Sequence, residues 1–252
     1  MSTFKLTVAY DGTDYLGWQV QPQGPTIQSM LERAVTQITG ETARVLGSGR
    51  TDSGVHADGQ VAAVSLAGWK HDAESLRQAL QTKLPEDIVV WRAESVRGDF
   101  HPIGDATEKL YRYQLQLSGP ADPMTARYRW RLRRPVDADA VCSACTHVVG
   151  RHDFSCFEAR GAPRADSVRE VRRCELMIAP PTNRGRVLAD LYVSADGFLY
   201  NMVRNIVGSV LEVGYGLKDP DWITELIRER RRENAGPTAP PHGLFLDRVS
   251  YE

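Results

Sequence analysis

The first hundred residues alternate between strand-like and helix-like apolar patterns, and this alternation is what most constrains the fold. Strand patterns occupy 5–10, 43–46, 61–66 and 87–93, and helical spacing occupies 27–38 and 73–83. Pro25 and Thr26 mark the start of the first helix, Gly40 marks its end, and Asp72 is suited to cap the second. The order is βαββαβ, which predicts a ferredoxin-like unit with an antiparallel sheet and two helices on one face.

The second half of the chain repeats this order without repeating its residues. Strand patterns lie at 109–117, 171–179, 186–193 and 243–251, and helical patterns at 137–149, 198–213 and 221–232. We therefore predict an α+β fold of two ferredoxin-like units, residues 1–104 and 105–252, whose sheets flank a central cleft. Ligands favour clefts of this kind.

Composition narrows the class of protein. The sequence is 42% hydrophobic, carries a formal net charge of -1 and has four cysteines, too few and too unevenly spaced for a disulfide framework. It has no leader pattern and no long apolar run, so we expect a cytoplasmic protein with reduced thiols and no membrane segment. Two arginine runs, at 127–134 and 228–232, are typical of solvated faces, but they would also suit contacts with a phosphate backbone.

A glycine-rich stretch, GSGRTDSGVHA at 47–57, is the first candidate site. Glycines let a backbone approach a ligand closely, and Arg50 and Asp52 stand between them. In a purely structural interpretation, Asp52 supports a turn and His56 is a surface histidine. A dinucleotide fingerprint fits poorly because a strand follows the glycines, and no serine lies in the G-x-S-x-G motif of a nucleophile elbow.

The helical pattern at 198–213 is the second candidate. Its apolar face is accompanied by a stripe of polar and small residues, Asn201, Arg204, Asn205 and Gly208. An arginine in so apolar a helix either contacts an acidic partner or faces solvent.

The same residues allow three other interpretations: two kinds of metal site and one function without catalysis. Carboxylates and an imidazole at Asp52, His56 and Asp58 could bind the metal of a hydrolase. Cys142, Cys145 and His147 could suggest zinc, but they lie within an amphipathic helix and lack a second ligand pair, so we predict core cysteines and no metal. An RNA-binding module without catalysis would keep the arginines but would not need Asp52.

Seven segments together carry a family resemblance that runs nearly from end to end. They read YDGTDYLGWQVQP, GRTDSGVHADGQV, DFHP, YRY, HDFSCF, DGFLYNMVRNIVGSVLEVG and AGPTAPPHGLFL. In this order they resemble the tRNA pseudouridine synthase A (TruA) family. The resemblance implies the pseudouridine synthase fold, and an isomerase that converts uridine to pseudouridine in the anticodon stem-loop of tRNA without a cofactor. It also implies a homodimer.

The resemblance further implies roles for four residues. Asp52 matches the catalytic carboxylate, which acts on either the sugar or the ring, and Arg204 matches a motif arginine suited to pair with it. Tyr111 matches an active-site tyrosine that stacks on the target base, and Arg50 is placed to enter the base stack or hold a phosphate when the base is extruded. Ile103 departs from the pattern, because the family commonly has arginine there.

Overall fold

The computed structural model describes residues 1–159, 161 and 166–251. The strands are β1 (Ser2–Tyr10), β2 (Leu46–Gly47), β3 (His56–Leu66), β4 (Ile88–Val96), β5 (Ala106–Ser118), β6 (Trp130–Arg131), β7 (Gly150–Asp153), β8 (Val168–Ile178), β9 (Val187–Ala195) and β10 (Leu244–Tyr251). The α-helices are α1 (Ile27–Thr39), α2 (Ala73–Gln81), α3 (Ala138–Thr146), α4 (Met202–Gly214) and α5 (Trp222–Glu229).

The chain divides into two compact units. The first contains Met1–Thr107 and Phe245–Glu252, and the second contains Glu108–Leu244. The sequence places the boundary near residue 104 and assigns the whole closing strand to the second unit. In the structure, the chain from Phe245 onward belongs to the first unit, because β10 pairs there with β3.

The first unit has a sheet with β4, β1 and β3 in that order, paired antiparallel. Two strands share the remaining edge of β3. Two-residue β2 pairs antiparallel with its second half, whereas β10 pairs in parallel with its beginning, where Phe245 lies opposite His56. This is the predicted ferredoxin-like arrangement, with its second strand reduced to a remnant at 46–47 instead of 43–46, and with β10 as an added strand.

Local capping explains where the helices of this unit begin and end. Thr26 accepts a hydrogen bond from the Ser29 amide in a capping box, and Gly40 closes α1 with φ of 73°. Asp72 caps α2 through the Ser75 amide. These three predictions are confirmed.

Alternating burial along β1 shows which face of the first sheet forms the core. Phe4, Leu6 and Val8 are buried and the residues between them are partly exposed. The apolar faces of α1 and α2 are buried as well, at Leu31 and Leu80 among others. Each such side chain contributes roughly 1.5–3 kcal/mol by leaving water.

The second unit has an antiparallel sheet in the order β5, β9, β8 and β7, with β6 pairing in parallel with β5. Helix α3 packs against α4 and β8. The core is aromatic and aliphatic, and its bulkiest fully buried side chains include Tyr113, Leu115, Phe154 and Phe157.

Several element boundaries in this unit differ from the predictions. Helix α4 begins at Met202 instead of 198, because Asn201 adopts the left-handed conformation, with φ of 60°. Asn201 therefore precedes the helix and does not lie on its predicted stripe. Helix α5 ends at Glu229 because Arg230 is left-handed, and the short strands β6 and β7 lack the alternation that would predict them.

No helix in the described part of the chain is long and apolar enough to cross a membrane.

Candidate active site

The glycine-rich segment forms a loop that leaves β2 at Gly47 and enters β3 at His56. Arg50 is exposed and Asp52 is half-buried. The loop ends in a tight turn, in which the Val55 amide donates to the Asp52 carbonyl at 3.1 Å and Gly54 has φ of 76°. Asp52 therefore stands where the chain reverses into a buried strand.

Buried hydrogen bonds from Gln60 fix the first half of the loop. Gln60 lies on β3 and is 0% exposed. Its side-chain amide donates to the Gly49 carbonyl at 2.9 Å, and its side-chain oxygen accepts from the Ser48 hydroxyl at 2.7 Å. The Ser48 amide also donates to the Val61 carbonyl at 2.7 Å. Each bond inside the protein adds about 1 kcal/mol, but a buried group left unpaired costs more.

Thr51 fixes the second half, directly before Asp52. Its hydroxyl shares a buried hydrogen bond of 2.8 Å with the Tyr10 hydroxyl, and its carbonyl accepts from the Trp18 amide at 3.0 Å. Burial raises the pKa of Tyr10 to about 12, because the phenolate would lose its hydration. Tyr10 therefore stays a neutral hydroxyl at physiological pH.

Gly17 shows how closely the segment after β1 packs on this loop. A Cβ at Gly17 would lie 2.4 Å from the Thr51 carbonyl oxygen, and φ of 87° is strained for any other residue. The glycine thus allows two backbones to meet beside Asp52.

His56 is part of the core of the first unit and not the surface residue that the structural interpretation supposes. Its ring is 1% exposed and stacks on Phe245 with centroids 4.7 Å apart. Nδ1 of His56 accepts from the Gly12 amide at 3.0 Å. Within the described ranges, no three His, Cys, Asp or Glu side chains converge as a metal site requires.

The cysteines are only partly as predicted. Cys145 and Cys174 are buried against each other, and the pKa of Cys174 is raised by its hydrogen bond to Cys145 and by burial. Cys142 is exposed, so its assignment to the core is wrong.

Tyr111 and Arg204 both lie in the second unit. Tyr111, on β5, is buried, and its ring meets that of Phe198 edge to face at 5.0 Å. Arg204 lies in the first turn of α4, where Nε donates to the Ala239 carbonyl at 2.7 Å and Nη1 donates to Asn201 Oδ1 at 2.9 Å. Because a guanidinium is planar, these two acceptors define its orientation.

The run at 127–134 does not present one continuous basic face. Arg129 is largely buried and donates to the Leu115 carbonyl and to Asp190. Arg131 donates to the Gly119 carbonyl, and Arg134 lies over the Tyr215 ring at 4.8 Å. Fewer arginines of this run are therefore placed for phosphate contacts than its sequence suggests.

The predicted site residues thus fall into two groups. Arg50 and Asp52 share one loop of the first unit, and Tyr111 and Arg204 occupy β5 and α4 of the second. Ile103, at the position of the family's arginine, is 56% exposed. Sequence reasoning missed the supports under the loop, Tyr10, Thr51 and Gln60, although all three lie within the quoted motifs.

Comparison with known proteins adds evidence that is independent of this geometry. The family model described as tRNA pseudouridine synthase matches residues 6–103 and 144–252. The chain is 40% identical over 251 residues to tRNA pseudouridine synthase A 2 of Clostridium perfringens, covering 100% of both chains. It is 41% identical over 253 residues to tRNA pseudouridine synthase A of Moorella thermoacetica, again covering 100% of both.

A third relative, tRNA pseudouridine synthase A of Myxococcus xanthus, is 39% identical over 251 residues, which cover 100% of this chain and 92% of the relative. The family match extends over both units, and it includes the glycine-rich loop and helix α4. This chain belongs to the tRNA pseudouridine synthase family and is an isomerase that acts on uridine in tRNA.

Proposed function

We propose that this cytoplasmic protein forms pseudouridine in the anticodon stem-loop of tRNA, and that Asp52 is its catalytic carboxylate. The observation that carries this proposal is how Asp52 is held: hydrogen bonds with the buried residues Gln60 and Tyr10 fix Gly49 and Thr51, while Asp52 itself is half-buried at the loop surface. Such support fixes a reacting group without enclosing it, which is what positional catalysis requires.

The reaction needs no external reactant. The bond between the ring nitrogen and the ribose breaks, the ring turns, and a bond forms between the ring carbon C5 and the same sugar carbon. The hydrogen on C5 then leaves as a proton, and the ring nitrogen that left the ribose takes up a proton, so the composition does not change. Asp52 serves as nucleophile on the sugar or on the ring, and both routes require an ionised carboxylate that is held close to the uridine.

Tyr111 and Arg204 are proposed to complete the site. A tyrosine ring can stack on a base that has left the helix, and a guanidinium can pair with a carboxylate or hold a phosphate. The edge contact of Tyr111 with Phe198 and the two acceptors on Arg204 support fixed positions for both side chains. The pairing of Arg204 with Asp52 stays a prediction from the sequence.

Asp52→Asn tests the catalytic assignment. The amide keeps the shape of the carboxylate but lacks its charge and nucleophilicity, so release of the C5 hydrogen from tRNA uridines should fall below detection. The affinity for tRNA should stay unchanged. Asp219→Asn, an exposed acid in the second unit, is the matched control and should retain full release. Equal release from Asp52→Asn and the unaltered protein would refute the assignment.

Arg50 is the residue we propose to assist extrusion of the target base. It is exposed two residues before Asp52, on the same supported loop. Unstacking a base costs a few kcal/mol, and an arginine can offset part of that cost by stacking or by binding a phosphate.

Arg50→Ala should slow pseudouridine formation about 10- to 100-fold at saturating tRNA while tRNA binding is retained, because the cost of unstacking is a few kcal/mol. Single-turnover kinetics with labelled tRNA measure both quantities. Arg44→Ala removes an exposed arginine of the same unit and should leave the rate unchanged. Unchanged turnover in Arg50→Ala would reject this role.

A homodimer is also part of the proposal, and we place its interface on the face of the first sheet opposite the buried side chains of β1. A groove of about 680 Å³ there is lined by residues of β1, β3, β4 and β10. The register of β4 against β1 skips one residue, Trp91, and this bulge leaves the Trp91 ring 64% exposed at the groove. Exposed tryptophans are over-represented among the residues that dominate binding energy.

The charges of this groove favour a second copy of the chain over RNA. Three basic and three acidic residues line it: Lys5, Arg92, Arg248, Asp58, Glu94 and Asp247. A surface that binds phosphates would carry excess positive charge, whereas a two-fold interface must be complementary to itself.

Trp91→Ala should weaken self-association at least about 30-fold, the effect of losing one dominant interface residue. Analytical ultracentrifugation over a concentration series measures it. Met124→Ala removes another exposed apolar side chain, 83% exposed in the second unit, and should sediment like the unaltered protein. A monomeric unaltered protein would contradict the homodimer, and a Trp91→Ala protein that dimerises normally would contradict this interface.

A further inference from the structure

Residues 235–240 form a short segment, here called the strap, that packs along the first half of α4. Gly208 is where the two backbones meet: a Cβ there would lie 1.7 Å from the Pro237 carbonyl oxygen. The Gly236 amide donates to the Ser209 hydroxyl at 2.9 Å. The polar and small stripe of α4 is therefore a docking face for the strap.

The strap contacts Arg204 in two ways. The Ala239 amide donates to the Arg204 carbonyl at 3.1 Å, and the Ala239 carbonyl accepts from Arg204 Nε at 2.7 Å. Ala239 of the strap and Asn201 thus each supply an acceptor that helps to orient the guanidinium.

Arg232 holds the strap from outside the helix. Its Nη1 donates to the Gly236 carbonyl at 3.0 Å, and its Nη2 donates to the Thr238 hydroxyl at 3.0 Å and to Asn205 Oδ1 at 2.9 Å. Because these acceptors belong to the strap and to α4, the two terminal nitrogens of the Arg232 guanidinium join the two segments. A lysine ammonium cannot span them with the same geometry.

Asn205 anchors this assembly in the core of the second unit. It is 0% exposed, and its amide donates to the Phe157 carbonyl at 2.7 Å. Its side-chain oxygen also accepts from the Thr238 hydroxyl at 2.6 Å. Thr238 directly precedes Ala239, whose carbonyl accepts from Arg204 Nε, so the strap links Arg232 and Thr238 to the Arg204 guanidinium.

We propose that Arg232 and Thr238 are positioning residues for Arg204. Through Asn205 they fix the strap, and the Ala239 carbonyl of the strap fixes the guanidinium. The inference rests on the proposed role of Arg204 in pseudouridine formation. It also assigns a function to one arginine of the run at 228–232 that differs from contact with a phosphate backbone.

Thr238→Val and Thr238→Ser form the sharpest pair of variants. Valine keeps the shape but lacks the hydroxyl, so single-turnover pseudouridine formation should slow about 10- to 100-fold, the cost of a displaced catalytic geometry. Serine keeps the hydroxyl and should restore the rate to near that of the unaltered protein. Affinity for tRNA should not change in either. Equal rates for valine and serine would overturn the proposal.

Arg232→Lys tests the fork and should slow the reaction to a similar extent, while Arg184→Ala, an exposed arginine of the same unit, should not. In an Arg204→Lys background, Arg232→Lys should add no further loss, because the group that it positions is gone. Full additivity of the two losses would mean that Arg232 acts elsewhere, and would contradict the proposal.

A readout independent of activity separates this inference from the proposed function. In the unaltered protein, the Nε–H proton of Arg204 should exchange slowly with water in nuclear magnetic resonance spectra, and in Thr238→Val it should exchange faster. Unchanged exchange in Thr238→Val would overturn the positioning role whatever the activity. Absence of pseudouridine formation by the unaltered protein would instead overturn the proposed function.

Discussion

The hydrogen bonds of one buried amide, that of Gln60, hold the glycine-rich loop on the sheet of the first unit. The loop is rich in glycine, so it has little side-chain packing of its own and would otherwise be mobile. The Gln60 side chain satisfies the Gly49 carbonyl and the Ser48 hydroxyl at once. Because these two hydrogen bonds form only in one arrangement of Ser48 and Gly49, the loop has one favoured position. Asp52 lies three residues after Gly49 on this loop and is held in place with it.

Both units place a candidate catalytic side chain by the same physical means. In the first, a buried amide and the Tyr10–Thr51 hydroxyl pair hold a loop. In the second, a buried asparagine and an arginine fork hold a strap against α4. In each case one buried polar side chain, Gln60 or Asn205, anchors the support, and its hydrogen bonds fix geometry firmly because water competes little for them. Asp52 lies on a loop and Arg204 in the first turn of a helix, and each is supported by a buried polar side chain.

Much of this architecture could be predicted from the sequence, for identifiable reasons. Thr26, Gly40 and Asp72 are strong local signals, and they set the ends of α1 and α2 as predicted. The start of α4 was missed because Asn201 is left-handed there, a conformation that no apolar periodicity reports. The parallel pairing of β10 with β3 depends on contacts between distant parts of the chain, which local patterns do not encode.

Some residues of the candidate site could likewise be predicted from the sequence, and others could not. Asp52, Arg50 and Arg204 stand out from their local residue patterns, and the family resemblance adds Tyr111 and the roles of all four. Gln60 could not, because a buried glutamine on a strand has the same sequence signature as a solvated one. Arg232 was hidden within a basic run that suggested a solvated surface.

The single-turnover rate of pseudouridine formation by Gln60→Leu tests whether the hydrogen bonds of Gln60 position Asp52 for the reaction. Leucine has a similar volume but cannot bond to Gly49 or Ser48, so the loop should lose its fixed position while Asp52 is still present. We expect a rate about 100-fold lower with unchanged affinity for tRNA, the effect of misplacing a reacting group by about 1 Å. A rate equal to that of the unaltered protein would show that Gln60 does not position Asp52.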